Sequence, residues 1–284
     1  MRTITSSQNP LYKTLYATAT SPRSAKKNQL VLVEGLRHVE EALCSGVHVQ
    51  AVFFSDDEAG RGAYDTLKSL SIDVDHVQLP LSLFSKVSQM KTSQGVMALA
   101  RPMTLTLDDF FLNHPDAERL LFLEDVQDPG NVGTLIRTAD AFSFDGVVVA
   151  GSTASIWNPK TSAAAMGSLF HISIVQEEKT EAVKVLETLK AKGFMCYAAA
   201  LEGINLIDSP EDKSRLSFDR VTDEILTEPC IAIMLGNEGN GLSNNALQHA
   251  DSLVRIPMTG RAESLNVASA GTILLWEAYR RRCR

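Results

Sequence analysis

Two hydrophobic patterns alternate along the chain. Short apolar runs rich in β-branched residues are typical of strands buried on both faces, and apolar positions three and four residues apart are typical of helices. In the first hundred residues strands are predicted at 30–33, 49–54, 74–77 and 95–100. Helices are predicted between them at 36–44, 63–70 and 81–87. This alternation predicts a small α/β domain over residues 1–103.

The alternation becomes stricter from residue 120 onward. Strands are predicted at 120–126, 146–150, 171–175, 195–200, 230–235 and 252–257. Helices are predicted at 134–142, 159–169, 180–192, 244–249 and 265–281. Strands separated by helices indicate a parallel sheet with helices on both faces, so we expect residues 120–284 to form a second α/β domain. The stretch 104–119, with its acidic pair and the Asn113-His-Pro115 sequence, is predicted to be a linker with one helical turn at 107–112.

Composition excludes several classes of protein. The apolar fraction of 44% and the charged fraction of 21% are those of an ordinary globular protein. No apolar run reaches the roughly 18 residues of a membrane span, and the polar N-terminus lacks a signal-peptide core. We therefore expect a cytoplasmic protein without membrane contact. The four cysteines and six histidines are scattered without ligand spacing, so we expect no metal.

The charge is unevenly distributed around a net value of −7. Residues 1–33 carry five cations and no acid, the chain ends in a basic cluster at 280–284, and much of the acid lies at 208–228. Basic faces on an acidic protein are suited to phosphate contacts. Each cluster alone fits a solvated chain end equally well.

The first loop that could carry chemistry contains Asn131 and leads to Arg137. At about 100° per residue, Arg137 lies about 200° from the apolar Leu135, so its side chain should point away from the core. Taken singly, Asn131 also fits a helix N-cap, and Arg137 fits a solvated helix charge.

The second loop is the glycine-rich stretch 235–241. Its glycines permit a tight turn and a close approach to a ligand. It lacks the lysine of a P-loop and the glycine spacing of a dinucleotide-binding loop. Glu238 lies beside Gly239 and has little to pack against, so its carboxylate is suited to charge-assisted hydrogen bonds with an arginine or with ligand donors.

The third loop, 256–266, precedes the last predicted helix. Ser264 fits the N-cap of that helix, whose first N–H groups lack partners within the helix. Ser264 and Asn266 flank Leu265, an arrangement suited to one apolar and two polar contacts in a single pocket.

Together the three loops resemble the motifs of the SpoU (TrmH-like) RNA ribose methyltransferases of the SPOUT superfamily. The matching stretches are N-x-G-x-x-x-R at 131–137, L-G-N-E-G-x-G-L at 235–242 and I-P-M…E-S-L-N at 256–266. The resemblance extends to the substrate-binding domain that precedes many of these enzymes, through N-P…K at 9–13, V-E-G-L-R at 33–37 and Q-G-V at 94–96. It covers nearly the whole chain, although the acidic segment 208–228 departs from the family pattern.

The resemblance implies an α/β fold whose C-terminal parallel-sheet domain contains a deep trefoil knot, preceded by a small RNA-binding domain with a basic arm. It implies S-adenosylmethionine as the cofactor, a homodimer, and RNA as the substrate, with 23S ribosomal RNA favoured over tRNA. Arg137 would act as base or electrostatic stabiliser, assisted by Asn131, Glu238, Ser264 and Asn266. The implied cofactor-binding residues are Ala199, Ala200, Leu235, Gly236, Asn237, Gly239, Ile256, Met258 and Leu265.

Two other functional classes remain open at this point. One is an RNA-binding or ribosome-assembly protein without catalysis, against which the complete set of five polar site residues argues. The other is a nucleotide-dependent metabolic enzyme on a doubly wound sheet. The absence of an early G-x-G-x-x-G and of a P-loop lysine argues against it.

Overall fold

The computed structural model describes residues 1–176, 182–200, 228–256, 258 and 260–282. Residues 281 and 282 are described by their backbone alone. The described chain forms two compact units, one containing residues 1–103 and 155–171 and the other containing 104–154 and 172–284. The acidic segment 208–228 lies outside the described residues except for Glu228. Within the C-terminal basic cluster only the side chain of Arg280 is described, and it pairs with Glu277 at 2.6 Å.

The first unit is built on a mixed five-stranded sheet. Its strands are β1 (Arg2–Thr3), β2 (Val31–Glu34), β3 (Val49–Ser55), β4 (Asp75–Leu79) and β5 (Val96–Ala100), in the spatial order β1-β4-β3-β5-β2. Only β5 runs antiparallel to its neighbours. The helices are α1 (Pro10–Thr20), α2 (Pro22–Asn28), α3 (Leu36–Cys44), α4 (Glu58–Lys68) and α5 (Leu81–Phe84). The four predicted strands are present, and β1 adds an edge strand that the sequence pattern did not predict.

The second unit is built on a seven-stranded sheet in which every pair of neighbours is parallel. Its strands are β6 (Thr104–Leu105), β7 (Arg119–Glu124), β8 (Gly146–Ala150), β9 (Ser173–Gln176), β10 (Met195–Ala199), β11 (Ile231–Leu235) and β12 (Ser252–Val254), in the spatial order β12-β10-β11-β7-β8-β9-β6. The described helices in this half of the chain are α6 (Leu107–Asn113), α7 (Pro129–Ala141), α8 (Pro159–Ala165), α9 (Ala182–Ala191), α10 (Asn244–His249) and α11 (Val267–Arg282). The six predicted strands are present. The predicted linker contains α6, where one helical turn was expected, and also β6, which the sequence pattern did not predict.

The central strands of this sheet are covered on both faces, as their apolar runs predicted. Every residue of β7, β8 and β11 is buried. On the neighbouring β10, Cys196 has no exposed surface and behaves as a small hydrophobe, and burial raises the pKa of its thiol to about 12. The trefoil knot stays a prediction drawn from the resemblance.

Helix α8 belongs to the first unit, although in the sequence it falls between β8 and β9, two strands of the second unit. The buried hydroxyl of Ser162 donates to the main-chain carbonyl of Leu32 on β2 at 3.0 Å. The helix was predicted to continue to residue 169, but it ends at Ala165 because Met166 and Gly167 adopt positive φ angles of 49° and 93°. A short 3-10 turn follows at Ser168–Phe170.

Candidate active site

A cavity of about 390 Å³ opens where three neighbouring strands of the second unit, β10, β11 and β12, reach their carboxyl ends. Pockets for small ligands in open parallel sheets occur at this edge. All the residues predicted to bind a cofactor line the cavity: Ala199, Ala200, Leu235, Gly236, Asn237, Gly239, Ile256, Met258 and Leu265. Ser264 and Glu238 line it as well.

The glycine-rich loop after β11 is fixed by its own backbone. A Cβ on Gly236 would lie 2.2 Å from the carbonyl carbon of Gly241, so only glycine fits this position. Asn237 and Gly241 exchange two backbone hydrogen bonds of 2.9 Å. The Asn237 side chain accepts from the N–H of Gly239 and donates to the carbonyl of Asp125, both at 2.9 Å. The shape of the loop is therefore fixed by contacts within the protein.

Glu238 connects this loop to the start of helix α7. Its carboxylate accepts hydrogen bonds of 3.0 Å from the N–H groups of Gln127 and Asp128 and from the side-chain amide of Asn131. Partial burial acts to raise the pKa of Glu238, but the hydrogen bond from Asn131 and those from the two backbone N–H groups outweigh it, so the pKa is lowered. The group is thus held as an ionised acceptor and is poorly suited to proton transfer at neutral pH.

Asn131 and Asn266 extend the connection to the third loop. The side-chain amide of Asn266 donates to Oδ1 of Asn131 at 3.0 Å, while Oδ1 of Asn266 accepts from the N–H groups of Ala268 at 2.9 Å and Ser269 at 3.2 Å. One chain of side-chain hydrogen bonds, Glu238–Asn131–Asn266, therefore ties the three sequence motifs together.

These contacts correct two expectations about helix caps. Asn266 caps α11, so the prediction that Ser264 is the N-cap was wrong. Helix α7 begins at Pro129 rather than at residue 134, and its N-cap is Asp128, which accepts from the N–H of Asn131 at 3.0 Å. Asn131 lies inside the first turn, so the alternative reading of Asn131 as an N-cap was also wrong.

The structure does not bring Arg137 to the cavity wall. Arg137 lies on the exposed side of α7, as its position relative to Leu135 predicted, and it is not among the residues that line the cavity. It follows Asn131 by six positions, about 9 Å along the helix axis at 1.5 Å per residue.

Other residues shape the site without having been predicted. Glu124, at the end of β7, is 4% exposed and accepts from the N–H and hydroxyl of Ser243 at 2.8 and 2.9 Å. This pair anchors the far end of the glycine-rich loop to the sheet. The sequence signal that could have identified Glu124 is a carboxylate at the end of an otherwise apolar predicted strand. The unpredicted lining residues are Asn240, Gly241, Leu242, Leu247, Val254, Arg255, Val267 and Ala270.

The lining of the cavity suits a ligand with an aromatic base, as the expected S-adenosylmethionine has. Apolar side chains such as Leu242, Leu247 and Val254 can cover an aromatic base, and the polar loops at the rim supply hydrogen-bonding groups. In the part of the chain that the structure describes, no group of three or more His, Cys, Asp or Glu could hold a metal ion. No helix within the same residues has the length and apolar character to cross a membrane.

Comparisons with known proteins agree with this geometry. The SpoU rRNA Methylase family model matches residues 118–276, more than half of the chain, and the MRM3-like substrate binding domain model matches residues 18–98. The Bacillus subtilis (strain 168) 23S rRNA (guanosine(2553)-2'-O)-methyltransferase RlmP is 32% identical over 277 residues, which cover 97% of this chain and 98% of that protein.

Two solved structures are similar over nearly the whole chain. The AdoMet-bound rRNA methyltransferase from Sinorhizobium meliloti has a TM-score of 0.79 at 26% identity and covers 98% of this chain and 97% of its own. The SpoU methyltransferase AviRb from Streptomyces viridochromogenes, in complex with AdoMet, has a TM-score of 0.79 at 26% identity and covers 97% of this chain and 99% of its own. The chain therefore belongs to the SpoU rRNA methylase family, and the expected activity of an S-adenosylmethionine-dependent RNA methyltransferase is confirmed.

Proposed function

We propose that this enzyme methylates a ribose 2′-hydroxyl of 23S ribosomal RNA, and that it works as a cytoplasmic homodimer. The observation that carries the assignment is the hydrogen-bonded chain Glu238–Asn131–Asn266, which joins the three motif loops beside the cavity. The nature of the substrate is supported by RlmP, whose name specifies 2′-O-methylation of 23S rRNA and which aligns with 97% of this chain.

The cavity would hold the cofactor through its loops. When bound, S-adenosylmethionine supplies an electrophilic methyl group on a sulfonium. Leu235 and Gly236 would contact it from the end of β11, and Ile256, Met258 and Leu265 from the third loop. Ala199 and Ala200, at the end of β10, would lie beneath the adenosine. The Asn237–Gly241 backbone hydrogen bonds hold the turn closed, which would limit the ordering cost of binding.

The three motif loops would position the ribose. A 2′-hydroxyl is a weak nucleophile and must lose its proton as the new bond forms. Asn131, Ser264 and Asn266 present amide and hydroxyl groups that can orient such a hydroxyl. Glu238 serves as a positioning residue, since its carboxylate fixes the Asn131 side chain and accepts two backbone N–H bonds.

Arg137 would stabilise the developing alkoxide or receive its proton. An arginine is normally fixed in its charged state, so electrostatic stabilisation is the simpler of these roles. Because Arg137 lies on the exposed side of α7 and away from the cavity wall, we propose that it completes a site at the interface between two copies of the chain.

The surface between α7 and α11 has the composition of such an interface. Trp276 is 45% exposed, and its ring lies 5.6 Å from Phe142 and 5.9 Å from Tyr279. Exposed aromatic groups of this kind are enriched in protein–protein interfaces. The same helix α7 carries both Phe142 at its C-cap and Arg137, so a partner seated on the aromatic group would lie close to the arginine.

Ribose-methylation mapping tests the proposed substrate. Ribosomal RNA and tRNA from cells with and without the gene would be compared, and one 23S ribose should lose its methyl group in the deletion strain. The purified enzyme should then restore that mark with S-adenosylmethionine. If the enzyme instead restores a methyl group on tRNA, the substrate is tRNA and not 23S rRNA. Calorimetry that shows binding of NAD or ATP but not of S-adenosylmethionine would refute the cofactor assignment.

Arg137→Ala tests the proposed catalytic role. We expect methyl transfer to fall by about 10²-fold, the usual contribution of one acid–base or electrostatic group. Cofactor affinity in calorimetry should stay unchanged, because Arg137 does not line the cavity. Lys184→Ala, which removes an exposed cation from α9, should retain full activity. Near-normal turnover of the Arg137 variant would remove Arg137 from the mechanism.

A further inference from the structure

The first unit contains a polar pocket that the proposed function does not use. It has a volume of about 280 Å³ and is lined by Thr14, Asn28, Leu30, His48, Gln50 and Arg101. These residues come from α1, from the end of α2, and from one end of the sheet, where β2 and β3 begin and β5 has just ended. None of the six is acidic, and residues 1–33 contain no acid at all.

A β-bulge directs Gln50 outward at this end of the sheet. Val49 pairs with Ala100 and Ala51 pairs with Leu99, so Gln50 is the extra residue on β3. Bulges re-aim a side chain and are over-represented at sheet edges and next to active sites. The backbone N–H of Arg101 donates to the carbonyl of His48 at 2.9 Å, which holds the Arg101 and His48 main chains together beside the bulge.

The polar groups of the pocket have unused hydrogen-bonding capacity. Within the described ranges, the side chains of Asn28, His48, Gln50 and Arg101 make no hydrogen bond or ion pair with another residue. Arg101 alone carries five N–H donors, and each amide offers two donors and an acceptor. Leu30, 5% exposed, adds an apolar surface. The pocket thus combines the guanidinium of Arg101, an imidazole, amide groups and one apolar contact.

We propose that this pocket binds one unpaired nucleotide of the RNA substrate, an inference that rests on the proposed function. Arg101 and His48 suit the phosphate, Gln50 and Asn28 suit the edge of the base, and Leu30 suits its face. Proteins read RNA sequence mostly at splayed-out bases in loops and bulges. The exposed Lys13, Lys26 and Lys27 on α1 and α2 give the surrounding surface the charge that RNA requires.

The pocket volume favours one nucleotide over a larger ligand. About 280 Å³ lies near the lower limit of roughly 300 Å³ for pockets that enclose a small molecule. The matched substrate-binding model covers residues 18–98 and so includes Asn28, His48 and Gln50. Thr14 and Arg101 lie just outside this range and would extend the binding surface.

The test compares two arginine variants of the full-length enzyme, Arg101→Gln and Arg61→Gln. Both remove one exposed positive charge from the first unit, but Arg61 lies on α4, outside the pocket. Binding to a 23S rRNA transcript would be measured by fluorescence anisotropy from low to high salt. We expect Arg101→Gln to weaken binding about tenfold and to reduce the salt slope by about 0.7, the value for one phosphate of a single strand. Arg61→Gln should change affinity less than about twofold.

Gln50→Ala tests the base contact. We expect it to raise KM for the transcript about tenfold while kcat at saturating RNA is unchanged and the salt slope is retained. Equal RNA affinities for Arg101→Gln, Arg61→Gln and wild type would overturn the inference. So would a Gln50→Ala enzyme whose KM for the transcript equals that of the wild type.

The same experiment separates this inference from the proposed function. If the wild-type enzyme binds the transcript but methylates no ribose, the proposed function fails. The RNA affinities of Arg101→Gln and Arg61→Gln would still show whether the pocket binds RNA. If the enzyme methylates the transcript and Arg101→Gln does so with the wild-type KM, only the pocket inference fails. Circular dichroism of each variant would exclude unfolding as the cause of a loss.

Discussion

The carboxylate of Glu238 lies on an exposed loop but is fully engaged in hydrogen bonds. Both oxygens accept, one from Gln127 and the other from Asp128 and Asn131. A glutamate surrounded in this way acts as a fixed anion that orients its neighbours. The sequence motif identified the residue, but its immediate partners, two backbone N–H groups, carry no side-chain signal and could not be predicted.

Glu238→Gln should disturb the site without changing its volume. A glutamine has one acceptor oxygen, so its NH2 group would face a donor of Gln127, Asp128 or Asn131. We expect a loss of about 1 kcal/mol in the free energy of unfolding, with the partial exposure of the group taken into account, and a reduced kcat. Urea unfolding and single-turnover methylation measure the two effects. Unchanged kcat would show that Asn131 needs no such anchor.

The stability difference between wild type and Glu238→Gln should depend on pH. The pKa of Glu238 is lowered in the folded state, so its contribution is complete above the unfolded value of about 4.3 and is lost as pH falls through the folded value. Urea midpoints at pH 7 and in the acid range would show the difference shrinking toward low pH. A difference that grows on acidification would contradict this assignment.

At the scale of elements, the loop after β11 contains a matched pair of glycines. A Cβ on Gly236 would meet the backbone of Gly241 at 2.2 Å, whereas a Cβ on Gly239 would have only Oδ1 of Asn237, at an ordinary 3.5 Å. Gly236→Ala must therefore open the loop. We expect it to lower stability by roughly 1–3 kcal/mol and to weaken cofactor binding at least about tenfold. Gly239→Ala, whose Cβ has room, should retain wild-type stability and weaken cofactor binding less than Gly236→Ala does.

Calorimetry with S-adenosylmethionine and thermal unfolding of the two alanine variants would check this expectation. Equal cofactor affinities would mean that the loop can shift without loss of the site. The close approach at Gly236 depends on two backbone segments meeting in space, so the sequence could indicate a tight turn there but not how little room it leaves.

The N-termini of α7 and α11 differ in how far local sequence determines them. The start of α7 carries an Asp N-cap followed by Pro129, a strong local signal for a helix beginning there. The prediction placed the start five residues later because it relied on the apolar stripe. At α11, Ser264 and Asn266 are both good N-caps, and Asn266 is selected because its amide also reaches Asn131 across the site. That choice depends on tertiary structure, which periodicity does not contain.

At the scale of the molecule, the proposed dimer makes a direct prediction for Trp276→Asp. A charge at the centre of an aromatic interface should convert the dimer to a monomer and, if Arg137 acts across the interface, abolish most methyl transfer. Tyr16→Asp is the control. Tyr16 is 46% exposed, almost the same as Trp276 at 45%, but it lies in the first unit, outside the proposed interface. Sedimentation velocity measures the oligomeric state. A monomeric wild type, or an unchanged dimer in the Trp276 variant, would refute this interface.

The domain boundary has a consequence for truncation experiments. Removing residues 1–103 would remove β2, the partner of Ser162 on α8, and leave the segment 155–171 without its own unit. We expect the fragment 104–284 to unfold at a lower temperature than a version in which 155–171 is replaced by a Gly/Ser linker. Calorimetric scanning would compare them. Equal unfolding temperatures would mean that α8 adds little to either unit. Because truncation disturbs both units, point substitutions are the cleaner test of RNA binding.

The same feature sets an order on folding during synthesis. The ribosome completes residues 1–103, then strands β6, β7 and β8, and only afterwards residues 155–171, which complete the first unit. Domains usually fold as units from the N-terminus as they emerge. Here the N-terminal unit would remain unfinished while three of the seven strands of the following sheet are translated. The two parts of the protein are therefore interleaved in time as well as in sequence, and a nascent chain stopped before residue 155 would lack a finished substrate-binding unit.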